Sequence, residues 1–141
     1  MANRFYKAQE INKLRSDSQC YNLKAPTEWW KMTGSQLTDI CNGCGPERWS
    51  LEKRKALTSA LGRYEATFAI HDLMYDLQDK YTKAEADKTL YANMKKIWAK
   101  DFGIWRWFSI GALIERFRVI PFVYAAVALG GGKAHKEARN D

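Results

Sequence analysis

The stretch from Ser50 to Asp79, SLEKRKALTSALGRYEATFAIHDLMYDLQD, decides the fold. Leu57, Leu61, Tyr64, Phe68, Leu73 and Leu77 recur close to the α-helical period, so the whole stretch is predicted to be helical. Ser50 is placed to cap its start, and Glu52 in the first turn suits the positive end of the helix dipole. Lys53 stands where a capping box prefers Glu. Inside the stretch lie His71 and Asp72. Neighbours on a helix diverge by ~100°. One side chain can therefore handle a proton while the other holds a cation.

Thr82-Lys83-Ala84-Glu85 is a capping box and starts a second helix, which runs through Tyr91, Met94 and Trp98 to about Asp101. The gap between the two helices is a few residues, which makes them antiparallel neighbours. His71 lies about ten residues before the turn and Asp87 about six after it, so at ~1.5 Å rise per residue their heights differ by about one turn. They meet if both face the seam. Tyr91 lies closer in height and competes for the contact.

Upstream, residues 41–50 form a loop, because Gly43, Gly45 and Pro46 all break regular structure. Backbone carbonyls exposed there, added to the Asp72 carboxylate, would give an oxygen-rich site for a hard cation such as calcium. Residues 1–40 are polar, with a short helix expected near Asn3–Lys13 and Trp29-Trp30 as a local aromatic anchor. Residues 104–129 are apolar, with Pro121 inside and Gly130-Gly131-Gly132 at the end. Glu115, Arg116 and Arg118 each cost ~2.5–3.5 kcal/mol at a bilayer centre, so a packed helix kinked or interrupted at Pro121 is expected rather than a span. The domain is drawn over residues 1–132. The charged tail Lys133–Asp141, with a solvated His135, is expected to be disordered.

Composition sets the remaining bounds. With 141 residues the default is one domain. Six Trp, seven Tyr and six Phe exceed what a small core needs. A formal charge of +7 favours an anionic partner, lipid headgroups or nucleic acid. No recognised motif supports nucleic acid, and the basic residues are spread rather than confined to a stripe. Met1 to Gln9 lacks an apolar core, so no secretory signal is expected. Three cysteines, Cys20, Cys41 and Cys44, leave one bridge or none. Cys41-x-x-Cys44 also fits a redox or zinc spacing, but zinc would need Cys20 and a histidine from elsewhere.

Each candidate also has a plain structural role. His71 could be a satisfied core histidine, Asp72 a surface carboxylate, Asp87 a first-turn dipole residue, and Gly43 and Gly45 turn formers. Trp105, Trp107 and Phe108 are expected in the core rather than facing lipid. Lys53-Arg54-Lys55 reads as a solvated helix face.

Three segments together resemble one family: Cys41-Asn42-Gly43-Cys44-Gly45-Pro46, His71-Asp72-x-x-Tyr75, and Glu85-Ala86-Asp87 opening the next helix. The chain is similar over about residues 40–95 to phospholipase A2, most closely to the small cysteine-poor proteins of that type encoded by phages and prophages. Tyr124-Ala125-Ala126-Val127 followed by Gly130-Gly131 is a weaker match. The resemblance implies a mainly α fold with a glycine-rich metal loop before two long antiparallel helices that carry the site. It makes His71 the base that deprotonates water, Asp87 its orienting carboxylate and Tyr75 a member of the same network. Calcium would be held by Asp72 and by carbonyls of Gly43, Gly45 and Glu47. The implied reaction cleaves the sn-2 ester of glycerophospholipids at a membrane surface, in the context of a phage particle or the host envelope. Two departures stand out. Glu47 follows Pro46 where the family has glycine, and Thr67, Phe68 and Met74 occupy the stretch where secreted members carry cysteines. Glu47 motivates a second expectation, a non-catalytic structural or membrane-binding module of the same fold.

Overall fold

The computed structural model describes residues 5–43 and 50–129. Among them the chain is mainly helical and contains no strand. Cys44, Gly45, Pro46 and Glu47 of the loop, the glycines at 130–132 and the tail with His135 lie outside the described residues, as does the start of the predicted Asn3–Lys13 helix.

The first helix, α1, spans Ala8–Cys20. It starts later than predicted because the Glu10 carboxylate accepts the Lys7 N–H at 2.7 Å and fixes the first turn there. It ends where Asn22 turns the chain with φ +52°. Two five-residue helices follow, α2 (Thr27–Lys31) and α3 (Gly34–Thr38). Trp29 is a core residue rather than a local anchor, whereas Trp30 is exposed. Arg15 on α1 ties this region together, with Nε donating to the Trp29 carbonyl at 2.8 Å.

The predicted 50–79 helix is broken. It divides into α4 (Leu51–Ala60), a 3₁₀ turn at Gly62–Tyr64 and α5 (Glu65–Asp76). Gly62, the poorest helix former here apart from proline, stands at the break. The turn swings Tyr64 into the core and lets its hydroxyl reach Glu115 Oε2 at 2.7 Å. α5 buries Phe68, Ile70, Leu73 and Met74, each worth ~1.5–3 kcal/mol of transfer free energy. Thr67, Phe68 and Met74 are all buried, so packing clamps this helix.

α6 runs Lys83–Phe102, with Thr82 Oγ1 accepting the Glu85 N–H at 3.2 Å and Glu85 accepting the Thr82 N–H at 2.7 Å. It stops at Gly103, whose φ of +53° suits glycine. α5 and α6 are antiparallel partners across a short turn. α1 packs on α5 and α3 packs on α1, around a core of Ile11, Trp29, Leu37, Ile70, Leu73, Leu90, Met94 and Ile97.

The apolar segment 104–129 is not a simple helix. A 3₁₀ turn, Gly103–Trp107, leads into α7 (Ile110–Ile114), a π-helical turn (Glu115–Val119) and a further helical run over 120–129. The π turn ends one residue before Pro121, which has no N–H for an α bond to Phe117. Trp98 Nε1 anchors α7 by donating to the Ala112 carbonyl at 2.7 Å. Trp105, Trp107 and Phe108 are exposed, contrary to the core placement expected for them. The 3₁₀ turn carries them past the end of α6, where only Trp107 keeps a ring contact with the core, edge-on to Trp98 at 5.8 Å. No helix among the described residues is long and apolar enough to cross a membrane.

Candidate active site

His71 lies in the middle of α5 and is 6% exposed, with Asp87 on the first turns of α6 at 2%. His71 Nε2 is 2.8 Å from Asp87 Oδ1. An ionised carboxylate can only accept, so Nε2 carries a proton, and in the neutral imidazole Nδ1 then holds the lone pair. Nδ1 makes no hydrogen bond among the described residues. Tyr75, one turn on from His71, donates its hydroxyl to the same Oδ1 at 2.7 Å and packs its ring 4.1 Å from the imidazole. The three residues expected to carry the proton chemistry therefore form one cluster. Tyr91 does not compete. It faces the C-terminal segment, with its ring 5.1 Å from Tyr124 and its hydroxyl accepting from Arg116 at 3.3 Å.

A fourth member was not foreseen. Lys83 Nζ lies 2.6 Å from Asp87 Oδ2 and also donates to the carbonyls of Ala128 at 2.8 Å and Val127 at 3.3 Å. The available signal was the Lys–Asp pair four residues apart on one helix. Burial opposes the charge on Asp87, but hydrogen bonds from His71, Lys83 and Tyr75 outweigh it and hold the carboxyl below its ordinary pKa. Burial, followed by the hydrogen bond to Asp87, pushes the Tyr75 phenol well above its ordinary value, so it remains a donor.

Asp72 points the other way, towards the loop. It is half-buried, and its Oδ2 accepts the Asn42 N–H at 2.9 Å. The Asn42 carbonyl accepts Arg54 Nη1 at 3.1 Å. Arg54 thus works at the loop and stacks 5.7 Å from the Phe5 ring, so the basic run is only partly a solvated face. Gly43 is buried with φ +76°, and a Cβ there would sit 2.5 Å from the Phe5 ring. Only glycine fits. Gly45 and Glu47 lie outside the described residues.

A carboxylate beside loop carbonyls is the hard-oxygen chemistry that calcium takes, with roughly six to eight ligands in all. Asp72 and Gly43 fit that donor set. No cluster of three His, Cys, Asp or Glu side chains gathers among the described residues. A zinc site built on Cys20 and Cys41 is not formed. Cys20 sits against Lys100 at the end of α6, with Nζ 3.5 Å from Sγ, while the buried Cys41 thiol faces the Ala69 carbonyl at 3.4 Å. Burial, then nearby Asp72, pushes the Cys41 thiol far above its ordinary pKa, the reverse of a reactive thiol.

Comparison with protein-family models, with curated proteins and with solved structures finds no match. What the site does must be argued from its own chemistry.

Proposed function

We propose that this chain is a calcium-dependent hydrolase of the phospholipase A2 type, cleaving the sn-2 ester of glycerophospholipids. One observation carries the reading: a histidine whose Nε2 is held by a buried carboxylate stands beside an aspartate turned towards a glycine loop. Asp87 and Tyr75 fix the imidazole so that Nδ1 is free to take a proton from water. The hydroxide so formed attacks the ester carbonyl, and the proton passes on to the departing alcohol, leaving a fatty acid and a lysophospholipid. Calcium bound at Asp72 and the loop would polarise that carbonyl and stabilise its oxyanion. The phospholipase A2-like fold and a phage setting belong to this proposal.

A second reading is a non-catalytic module of the same fold. The near-complete burial of His71 and the Asn42 N–H on Asp72 favour it.

The test is fatty-acid release from mixed phospholipid vesicles, with calcium and with chelator. Wild type should release fatty acid only with calcium, and His71→Ala should lower the rate by about 10²–10⁴-fold. Wild type that leaves vesicles intact where a control lipase cleaves them would move the assignment to the non-catalytic module.

A further inference from the structure

The C-terminal segment is turned inside out. Ala112, Ile120, Val123 and Val127 face the core. The outward side carries Trp105, Phe108, Ile110, Phe117 and Phe122, with Phe108 80% and Phe122 74% exposed. Nine of the ten exposed large apolar side chains among the described residues lie between 104 and 129. Concentration on one segment marks a surface made to be covered.

We propose that this face docks on an anionic phospholipid bilayer. Its charge selects that occupant. Glu115, the acidic residue of the segment, is turned inward to the Tyr64 hydroxyl and Arg63. Arg118 stays exposed beside Phe117 and makes no ion pair among the described residues. Tryptophan and phenylalanine flanked by arginine is the chemistry of the headgroup boundary, where the rings seat and the guanidinium reaches phosphate. A second copy fits poorly. Symmetric pairing would bring the basic faces together and bury Arg118 without a partner. Against lipid the same side chain extends to the headgroups. The segment would lie on the bilayer, not through it. Its far end touches the candidate site: the Val127 and Ala128 carbonyls rest on Lys83, which holds Asp87.

This deepens the hydrolase reading by naming the side of the molecule that meets lipid, but it is tested apart from turnover. Vesicles of phosphatidylglycerol and phosphatidylcholine, or of phosphatidylcholine alone, are sedimented with the protein in chelator. Wild type should partition at least ~10-fold more onto the anionic vesicles. The double variant Phe108→Asp, Phe117→Asp should lose roughly tenfold or more, as two seated rings are replaced by repelled charges. Far-UV circular dichroism checks that the variant remains helical, and Trp30→Ala, exposed outside the segment, should bind as wild type. Wild type left in the supernatant, or a double variant that binds undiminished, would overturn the proposal. So would a wild-type dimer abolished by Phe117→Asp with no vesicle binding, which would assign the face to a second copy. Hydrolysis of dispersed short-chain phosphatidylcholine in calcium reads the His71 site separately. If it is absent while docking persists, the hydrolase reading fails and the docking surface stands.

Discussion

Lys83 completes a dense set of partners for Asp87, with an ammonium, a phenol and an imidazole around two oxygens. Removing the ammonium leaves a buried charge short of a partner. Lys83→Met should therefore cost about 1.5–3 kcal/mol in urea unfolding. Asp87 also fixes a pH dependence. Its pKa is depressed on folding, so its stabilisation is present above the unfolded carboxylate value and is lost as pH falls through the folded one. The stability gap between wild type and Asp87→Asn should be full at neutral pH and narrow below pH ~4. Equal gaps at both pH values would show that Asp87 is not held ionised by its neighbours. At this scale the approach of His71 and Asp87 followed from their heights on the two helices, with Tyr91 left as a competitor, whereas Tyr75 entered only through the family resemblance. Lys83 was not legible, because an i,i+4 pair near a helix start reads as a surface feature until the Val127 and Ala128 carbonyls are seen to cover it.

Elements were legible where a boundary has a chemical marker. The Thr82 capping box placed the start of α6 correctly, because Thr82 and Glu85 satisfy each other's backbone donors within four residues. The 50–79 stretch misled because its apolar period continues through Leu61 and Tyr64 although the backbone does not, and Gly62 was the marker left unused. Side-chain clamps between distant elements were also invisible. Asn93, fully buried on α6, brackets Lys24, with Nδ2 donating to its carbonyl at 2.8 Å and Oδ1 accepting its N–H at 2.9 Å. Asn93→Ala strands both backbone groups and should destabilise the fold by about 2–3 kcal/mol on thermal or urea unfolding. Gly43→Ala combines a positive φ with a collision against Phe5, and should cost about 1–3 kcal/mol by the same measurement. If Gly43→Ala were neutral, the loop would not be packed against Phe5.

For the whole molecule, the excess of aromatic residues was plain in the composition, but their location was not. Average behaviour assigns such rings to the core, and only a core already filled by α1, α3, α5 and α6 shows that Trp105 and Phe108 are left outside. Charge behaves similarly: +7 was countable, whereas the inward turn of Glu115 towards Arg63 decides which face is basic. Docking on anionic vesicles should therefore be electrostatic in part. Raising ionic strength from ~0.1 M to ~1 M shortens the screening length from ~10 Å to ~3 Å and should weaken partitioning severalfold, leaving an apolar remainder. Salt-independent partitioning would show that the rings act alone.

The π turn at Glu115–Val119 has a further consequence, in the bookkeeping of angular phase. Ala112 and Ile120 are eight positions apart, which on an unbroken α-helix separates them by ~80° around the axis. Both are nevertheless fully buried. The turn absorbs one residue, so the run behaves as seven positions and the two side chains return to within ~20° of each other. Deleting one residue from 115–119 would restore regular α geometry and keep Ala112 and Ile120, then seven positions apart, within ~20° of each other. Adding one residue there would instead rotate everything beyond it by ~100°. Either Ala112 or Ile120 would then swing out, and the Val127 and Ala128 carbonyls would leave Lys83. The segment should tolerate the loss of one residue there but not the gain of one.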